Sequence, residues 1–249
     1  MRLGRAPHDP AIVGGLRPLD VPLSYRPTIP IGSRLPSYVP KMWENDVYPC
    51  CTFASLAEYQ RILCNLWLGF DLNIADVAPL DAYAAASNIP LGNPAALASS
   101  PGLRMTDVAR WQMTNGFQTG FQLTSGAPGT IGLSISSMFL ALRAIGVVWA
   151  GVDLYQADEA AISAGQVLDT TQAPGSLVGG HALVYFDADG TADTDIVTIS
   201  TWGMRAHATW RWVMARTSEA HGVIYKNFLR EFDNIYQDTY AQAVSILKP

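Results

Sequence analysis

With 249 residues, 49% of them hydrophobic, the chain can bury one large core or two small ones, so size sets no limit on catalysis. Charged residues make up only 15%, against a usual ~25%, and a surface so short of charge implies burial against partners. The net charge of −5, with no Lys/Arg run and no aromatic RNA-binding signature, argues against nucleic acid as a partner.

Cys50, Cys51 and Cys64 make no disulfide framework, since adjacent Cys50 and Cys51 could close only a strained ring. Reducing surroundings fit this best. The first residues lack the apolar core of a signal peptide, and no apolar run approaches the ~20 residues of a membrane span. The expectation is a soluble chain with no signal peptide, no transmembrane segment and no membrane partner.

Nine of the sixteen prolines fall in residues 1–49, which excludes helix and central strand over most of that length. Residues 1–42 are therefore expected to form an extended, proline-rich arm that wraps its own domain or a neighbour. Residues 1–41 also carry six Arg or Lys against two Asp, leaving the remainder acidic.

A helix is expected from Cys51, with Phe53, Leu56, Ala57, Cys64 and Trp67 on one face and Gly69 as its stop. A connection over 71–81 leads to a short helix through Tyr83, and 90–102 reads as a loop with three prolines. Thr106 opens another helix, closed by Gly116, whose Trp111 and Met113 read as packing residues. A further helix runs from Ser136 to Ile145 before Gly146. Residues 147–152 form an apolar strand, followed by a short helix over 158–164.

Then the period changes. Residues 181–186 and 196–202 read as strands joined by a turn at 187–190, and 222–225 as another strand. Helices are expected over 209–220 and 234–247. Residues 43–146 thus form a mainly helical half and 147–249 a half containing an antiparallel sheet, an α+β domain spanning 43–249.

Asn45-Asp46-Val47-Tyr48-Pro49-Cys50-Cys51 runs from turn-forming residues directly into the helix. A thiol at a helix N-terminus sits beside unsatisfied N–H groups and the positive end of the macrodipole, which favours the thiolate. Cys51 is the candidate nucleophile, being the residue followed at once by the helical face. The bland account is a pair of small buried thiols.

The same stretch resembles the papain-like pattern, in which a polar amide stands six residues before a Cys that opens a helix. Asn45 holds that place before Cys51. Gly179-Gly180-His181-Ala182-Leu183-Val184 resembles the papain-like histidine strand, and Ser200-Thr201-Trp202-Gly203 resembles Asn-Ser-Trp-Gly. Cys51 is 130 residues from His181 and 149 from Ser200, in keeping with the roughly 130–150 of papain-type sequences. A nearer likeness is to papain-like proteins of tailed bacteriophages. It rests on Leu3-Gly4-Arg5, Asn45-Asp46-Val47-Tyr48, Gly179-Gly180-His181 and Thr201-Trp202-Gly203. Pro49-Cys50 departs from that group's Gly-Asp, and Ser200 from papain's Asn.

The resemblance implies a papain-like fold with its site between the halves. Cys51 would be the nucleophile, His181 the base, Asn45 the oxyanion donor and Ser200 the residue orienting the imidazole, with Thr201 as its alternative. Trp202 would shield that hydrogen bond, and Gly180 would allow close approach to the site. In papain-like zymogens an N-terminal segment blocks the cleft, but such segments are helical and charged, and this arm is neither. His207, His221 and His8 are assigned no chemistry. Neither a metal nor another cofactor is expected, because Cys50-Cys51 lacks zinc spacing and no glycine-rich stretch fits a nucleotide loop.

Two functions follow. One is a phage virion-associated protein of papain-like fold, a structural or assembly component made in the host cytoplasm, with other virion proteins or its own copies as partners through the arm. The alternative is an active cysteine hydrolase cleaving peptide or amide bonds in peptidoglycan or a virion protein. The retained Cys51, His181 and Asn45 favour chemistry; the low charge and the arm favour assembly.

Overall fold

The computed structural model describes residues 3–7, 35, 37–115 and 126–225. Most of the arm with His8, the stop expected at Gly116, and the helix expected over 234–247 lie outside the described residues.

A helix buried along most of its length must run through a core, and its polar groups must find partners there. Helix α1, Cys51–Leu68, is such a helix: Phe53, Leu56, Tyr59, Ile62 and Leu63 are fully buried, and Glu58, Gln60 and Arg61 are buried with them. It ends at Gly69, in the left-handed conformation at φ 74°, whose N–H bonds Asn65 O. Around it stand α2, Ala78–Ser87, and α4, Met105–Asn115, where Trp111 packs edge-on against Phe53 at 5.2 Å. Thr106 lies inside α4 rather than capping it.

The stretch read as a loop contains α3, Pro94–Ser99. Asn93 caps it, its side chain accepting from Ala96 N–H, and Pro94 supplies a helical φ at the first position.

The remaining elements are β1 (Gly126–Thr130), α5 (Ile135–Ala144), β2 (Val148–Tyr155), α6 (Gln156–Ser163), β3 (Leu177–Ala188), β4 (Ile196–Thr201), β5 (Met204–Thr209), α7 (Trp210–Arg216) and β6 (Thr217–Tyr225). The strands form one antiparallel sheet in the order β1-β6-β2-β3-β4-β5. The class is α+β, as expected, and α1 packs against β3.

The helix expected over 209–220 stops at Arg216, because 217–225 is drawn into the sheet by β2, with Ala150 opposite Ala220 and Trp149 opposite His221. His221 therefore lies on β6 and His207 on β5, neither in a helix. Sheet pairing overrode local propensity here. β1 and β5 were not legible in advance: Gly-Ala-Pro-Gly-Thr has no strand composition, and its Pro128 is tolerated because β1 is an edge.

Candidate active site

Cys51 is the first residue of α1 and is wholly inaccessible to solvent. The backbone N–H groups of Ala182 and Gly4 point at its sulfur, so the thiol lies against β3 one residue beyond His181, under the N-terminal strand, a stretch of residues 3–7 whose one isolated β-bridge joins Arg5 to Leu103. Burial pushes the thiol up to about 11, although these N–H groups, that of Thr52 and the Arg5 guanidinium pull it down. The favoured thiolate expected of a helix N-terminus is thus overturned here, where desolvation outweighs the N–H groups and Arg5.

His181 is equally buried, at the point of β3 opposite Val152. Its Nε2 lies 2.8 Å from Thr201 Oγ1, and the indole of Trp202 stacks on the ring with centroids 4.0 Å apart and planes 17° apart. Among the described residues Nδ1 has no hydrogen-bond partner. If Nε2–H donates to Thr201, Nδ1 carries the lone pair and can accept a proton.

The placement follows from local chemistry. β4 and β5 are joined by Trp202 and Gly203, at φ 44° and 69°, with Thr201 paired to Met204. A two-residue hairpin of the type I′ kind needs positive φ at both positions. Gly203 meets this without strain, and the turn holds Trp202 over the imidazole.

No family model and no curated protein matches the sequence. Among solved structures, xylellain, a cysteine protease from Xylella fastidiosa, matches with TM-score 0.56 at 12% identity, over 84% of this chain and 94% of its own. Procathepsin B S9 from Trypanosoma congolense matches with TM-score 0.55 at 11% identity, over 90% and 87%. Procathepsin L 3 of Tenebrio molitor larval midgut gives 0.50 at 12%, over 86% and 77%. The fold is papain-like. At such identities the likeness carries the architecture alone.

Within this papain-like fold the residue against the imidazole is Thr201. Ser200, expected to orient the ring, instead donates to Glu58 Oε2 at 3.2 Å. Neighbouring side chains on a strand point to opposite faces, so only one of the two can face His181. Asn45, in the turn before α1, is buried, and its Oδ1 has no partner among the described residues. It shares the walls of a cavity of about 10 Å³ with Ser55, Glu58, Thr201 and Trp202, and Cys51 is not one of those walls. That is room for about one water. Gly180 gives its carbonyl to Arg5 N–H at 3.2 Å.

Three features escaped the sequence reading. Glu58, on α1, is buried and accepts from Tyr38 O–H, Lys41 N–H (3.1 Å), Trp43 Nε1–H (2.6 Å), Arg61 (3.0 Å) and Ser200. A glutamate three residues before an arginine on a mainly apolar helix was the available signal. Arg5 and Glu219 also meet, at 2.8 Å across 214 residues of sequence. The third feature is the N-terminal strand itself, which crosses the site. Gly4 O accepts from Leu103 N–H at 3.0 Å, and Ala6 N–H donates to Leu103 O at 3.1 Å.

Two expectations follow. Thr201→Val keeps the shape but strands Nε2 in the interior, and should cost about 1–3 kcal/mol in urea unfolding. Ser200→Ala leaves Glu58 four other donors and should cost less; the reverse order would remove Thr201 from the imidazole. Second, burial, with Arg5 adding to it, lowers His181 from its ordinary 6.5 to about 3. The unfolded chain then binds a proton that the folded chain refuses, so this contribution is intact above pH 6.5 and is lost as pH falls toward about 3. The Tm difference between wild type and His181→Gln, which cannot ionise, should shrink or invert across that window.

Proposed function

We propose that the chain is a latent cysteine hydrolase of peptide or amide bonds, with Cys51 as nucleophile and His181 as base, kept closed by its own N-terminal strand. The observation that carries this is the imidazole held at Nε2 by Thr201 and covered by Trp202, with Nδ1 unpartnered among the described residues and beside the strand position that touches Cys51. An orienting partner on one nitrogen leaves the other as base. On opening, Cys51 would pass its proton to Nδ1 and attack a carbonyl carbon. Asn45 and the N–H of Cys51 would stabilise the oxyanion, and the imidazolium would return the proton to the leaving amine.

The arm does not lie as a substrate would. What it directs at the sulfur is the Gly4 N–H, and its Gly4 carbonyl is held by Leu103 N–H. This supports inhibition without self-cleavage.

The test uses the full chain carrying Arg5→Ala, to loosen the strand, treated with an epoxysuccinyl peptide and mapped by peptide mass. Labelling at Cys51 that disappears on adding His181→Ala is the expected result. Alkylation by iodoacetamide without any epoxide labelling would sink the hydrolase reading.

A second reading is favoured by the complete burial of both residues, which leaves a neutral thiol and a neutral imidazole. It is a building block that keeps the fold without the chemistry, and the phage-like motifs support a virion as its setting. In a phage carrying Cys51→Ala at this gene, unchanged infectivity would favour that reading; particles that assemble but do not infect would favour the hydrolase.

A further inference from the structure

Besides its backbone bonds to Leu103 and Gly180, the N-terminal strand is anchored by one buried side chain. Arg5 is buried, with Nη1 2.8 Å from Glu219 Oε1 and Nη2 2.9 Å from both Asp153 Oδ1 and Ser218 Oγ. Nη2 also lies 3.5 Å from Val152 O. The Glu219 side chain is 1% exposed, and its other oxygen is 3.0 Å from His221 Nε2. Burial works to raise the Glu219 pKa, but His221 and Arg5 outweigh it and keep the group ionised.

The space is built for this side chain. A Cβ on Gly151 would lie 2.8 Å from Arg5 Cδ, and one on Gly180 would lie 2.7 Å from Arg5 O. Gly4, next along the strand, is gripped between Pro49 and Gly102, where no side chain fits. A carboxylate so deep is costly without a cation. Acceptors for Nη1 and Nη2 diverge, which suits a planar guanidinium and not the single point of an ammonium.

We propose that this slot on β2 and β6 is an arginine-selective subsite of the cleft. Arg5 is its intramolecular occupant, and once the strand leaves, the slot takes the arginine side chain of an incoming peptide whose backbone pairs with Leu103 and Gly180. The inference rests on the hydrolase reading for the fate of that peptide, but not for its binding. A strand entering as residues 3–6 do must carry glycine beside the arginine, so the slot reads Gly-Arg.

The test is binding without chemistry. The full chain carrying Gly4→Val, Arg5→Met and Cys51→Ser is titrated by calorimetry with acetyl-Leu-Gly-Arg-Ala-amide, and with the same peptide bearing lysine or citrulline for arginine. The arginine peptide should bind about tenfold or more tightly than either, and adding Glu219→Gln should erase the preference. Equal affinity for the arginine and citrulline peptides, or a preference untouched by Glu219→Gln, overturns the proposal. Should that chain not fold, Arg5→Lys alone decides. Lysine cannot span Glu219 and Asp153, so alkylation of Cys51 should speed up about tenfold; an unchanged rate overturns the subsite. Failure of epoxide labelling with the arginine preference intact would remove the hydrolase and leave an arginine-peptide binding cleft.

Discussion

Gly4→Val in the full chain is expected to raise the rate of iodoacetamide attack on Cys51 roughly tenfold to a hundredfold. In the closed structure the sulfur is inaccessible, so alkylation must wait for the strand to lift. A Cβ at residue 4 would stand 1.9 Å from Pro49 O, a backbone atom that cannot swing aside. Overpacking of this kind costs about 1–3 kcal/mol, and each ~1.4 kcal/mol is a factor of ten in the open population. A second effect works in the same direction. Once uncovered, the thiol falls back from about 11 toward its ordinary 9.0, so more of it is thiolate at any given pH. Cys50 and Cys64, both buried, are the internal controls. A selective gain at Cys51, resolved by peptide mass, identifies the strand as the cover. Equal gains at all three would mean global loosening, and no gain at Cys51 would show that some other segment covers it.

That strand marks how far the sequence could be read. The Cys51 helix was legible because its signals are local: an apolar face and a stop glycine. Thr201-Trp202-Gly203 was legible as a motif, and the hairpin explains it, since a strand end, a stacking ring and a residue suited to positive φ come in that order. The choice between Ser200 and Thr201 was not. Both are buried, so β4 ends without the polar–apolar alternation that reveals which side chain faces which way. β5 and the first half of β6 were hidden because their pairing partners, not their composition, make them strands; the end of β6, 222–225, was legible as one. Leu3-Gly4-Arg5 could be picked out as a motif, yet its seat could not. The buried carboxylate that Arg5 meets is Glu219, near the far end of the described chain, and nothing local marks that glutamate as buried.

The largest loss of stability is expected from Glu58→Ala. Its carboxylate is the one acceptor shared by the loop before α1, through Tyr38, Lys41 and Trp43, by Arg61 on α1 and by Ser200 on β4. Arg61 also forks onto Asp71, at 2.9 and 2.6 Å, and donates to Val39 O at 3.2 Å. Removing Glu58 takes from Arg61 its buried counter-charge, leaving it the half-exposed Asp71, and strands the donors of Tyr38, Trp43 and Ser200, at a cost of about 3–5 kcal/mol. A change within about 1 kcal/mol in urea would mean that water reaches and satisfies these donors. The site should suffer before the fold does. Trp43 and Glu44, at φ 57° and 59°, stand in a conformation that only surrounding bonds make tolerable for residues with side chains. Asn45 follows them directly, and Thr201 follows Ser200. Loss of Glu58 therefore loosens both neighbours of the imidazole pocket at once. In Glu58→Gln, which keeps one acceptor oxygen but gives up the charge facing Arg61, stability should fall by less while the order of Asn45 and Trp202, read from hydrogen exchange of residues 43–46 and 201–203, still declines.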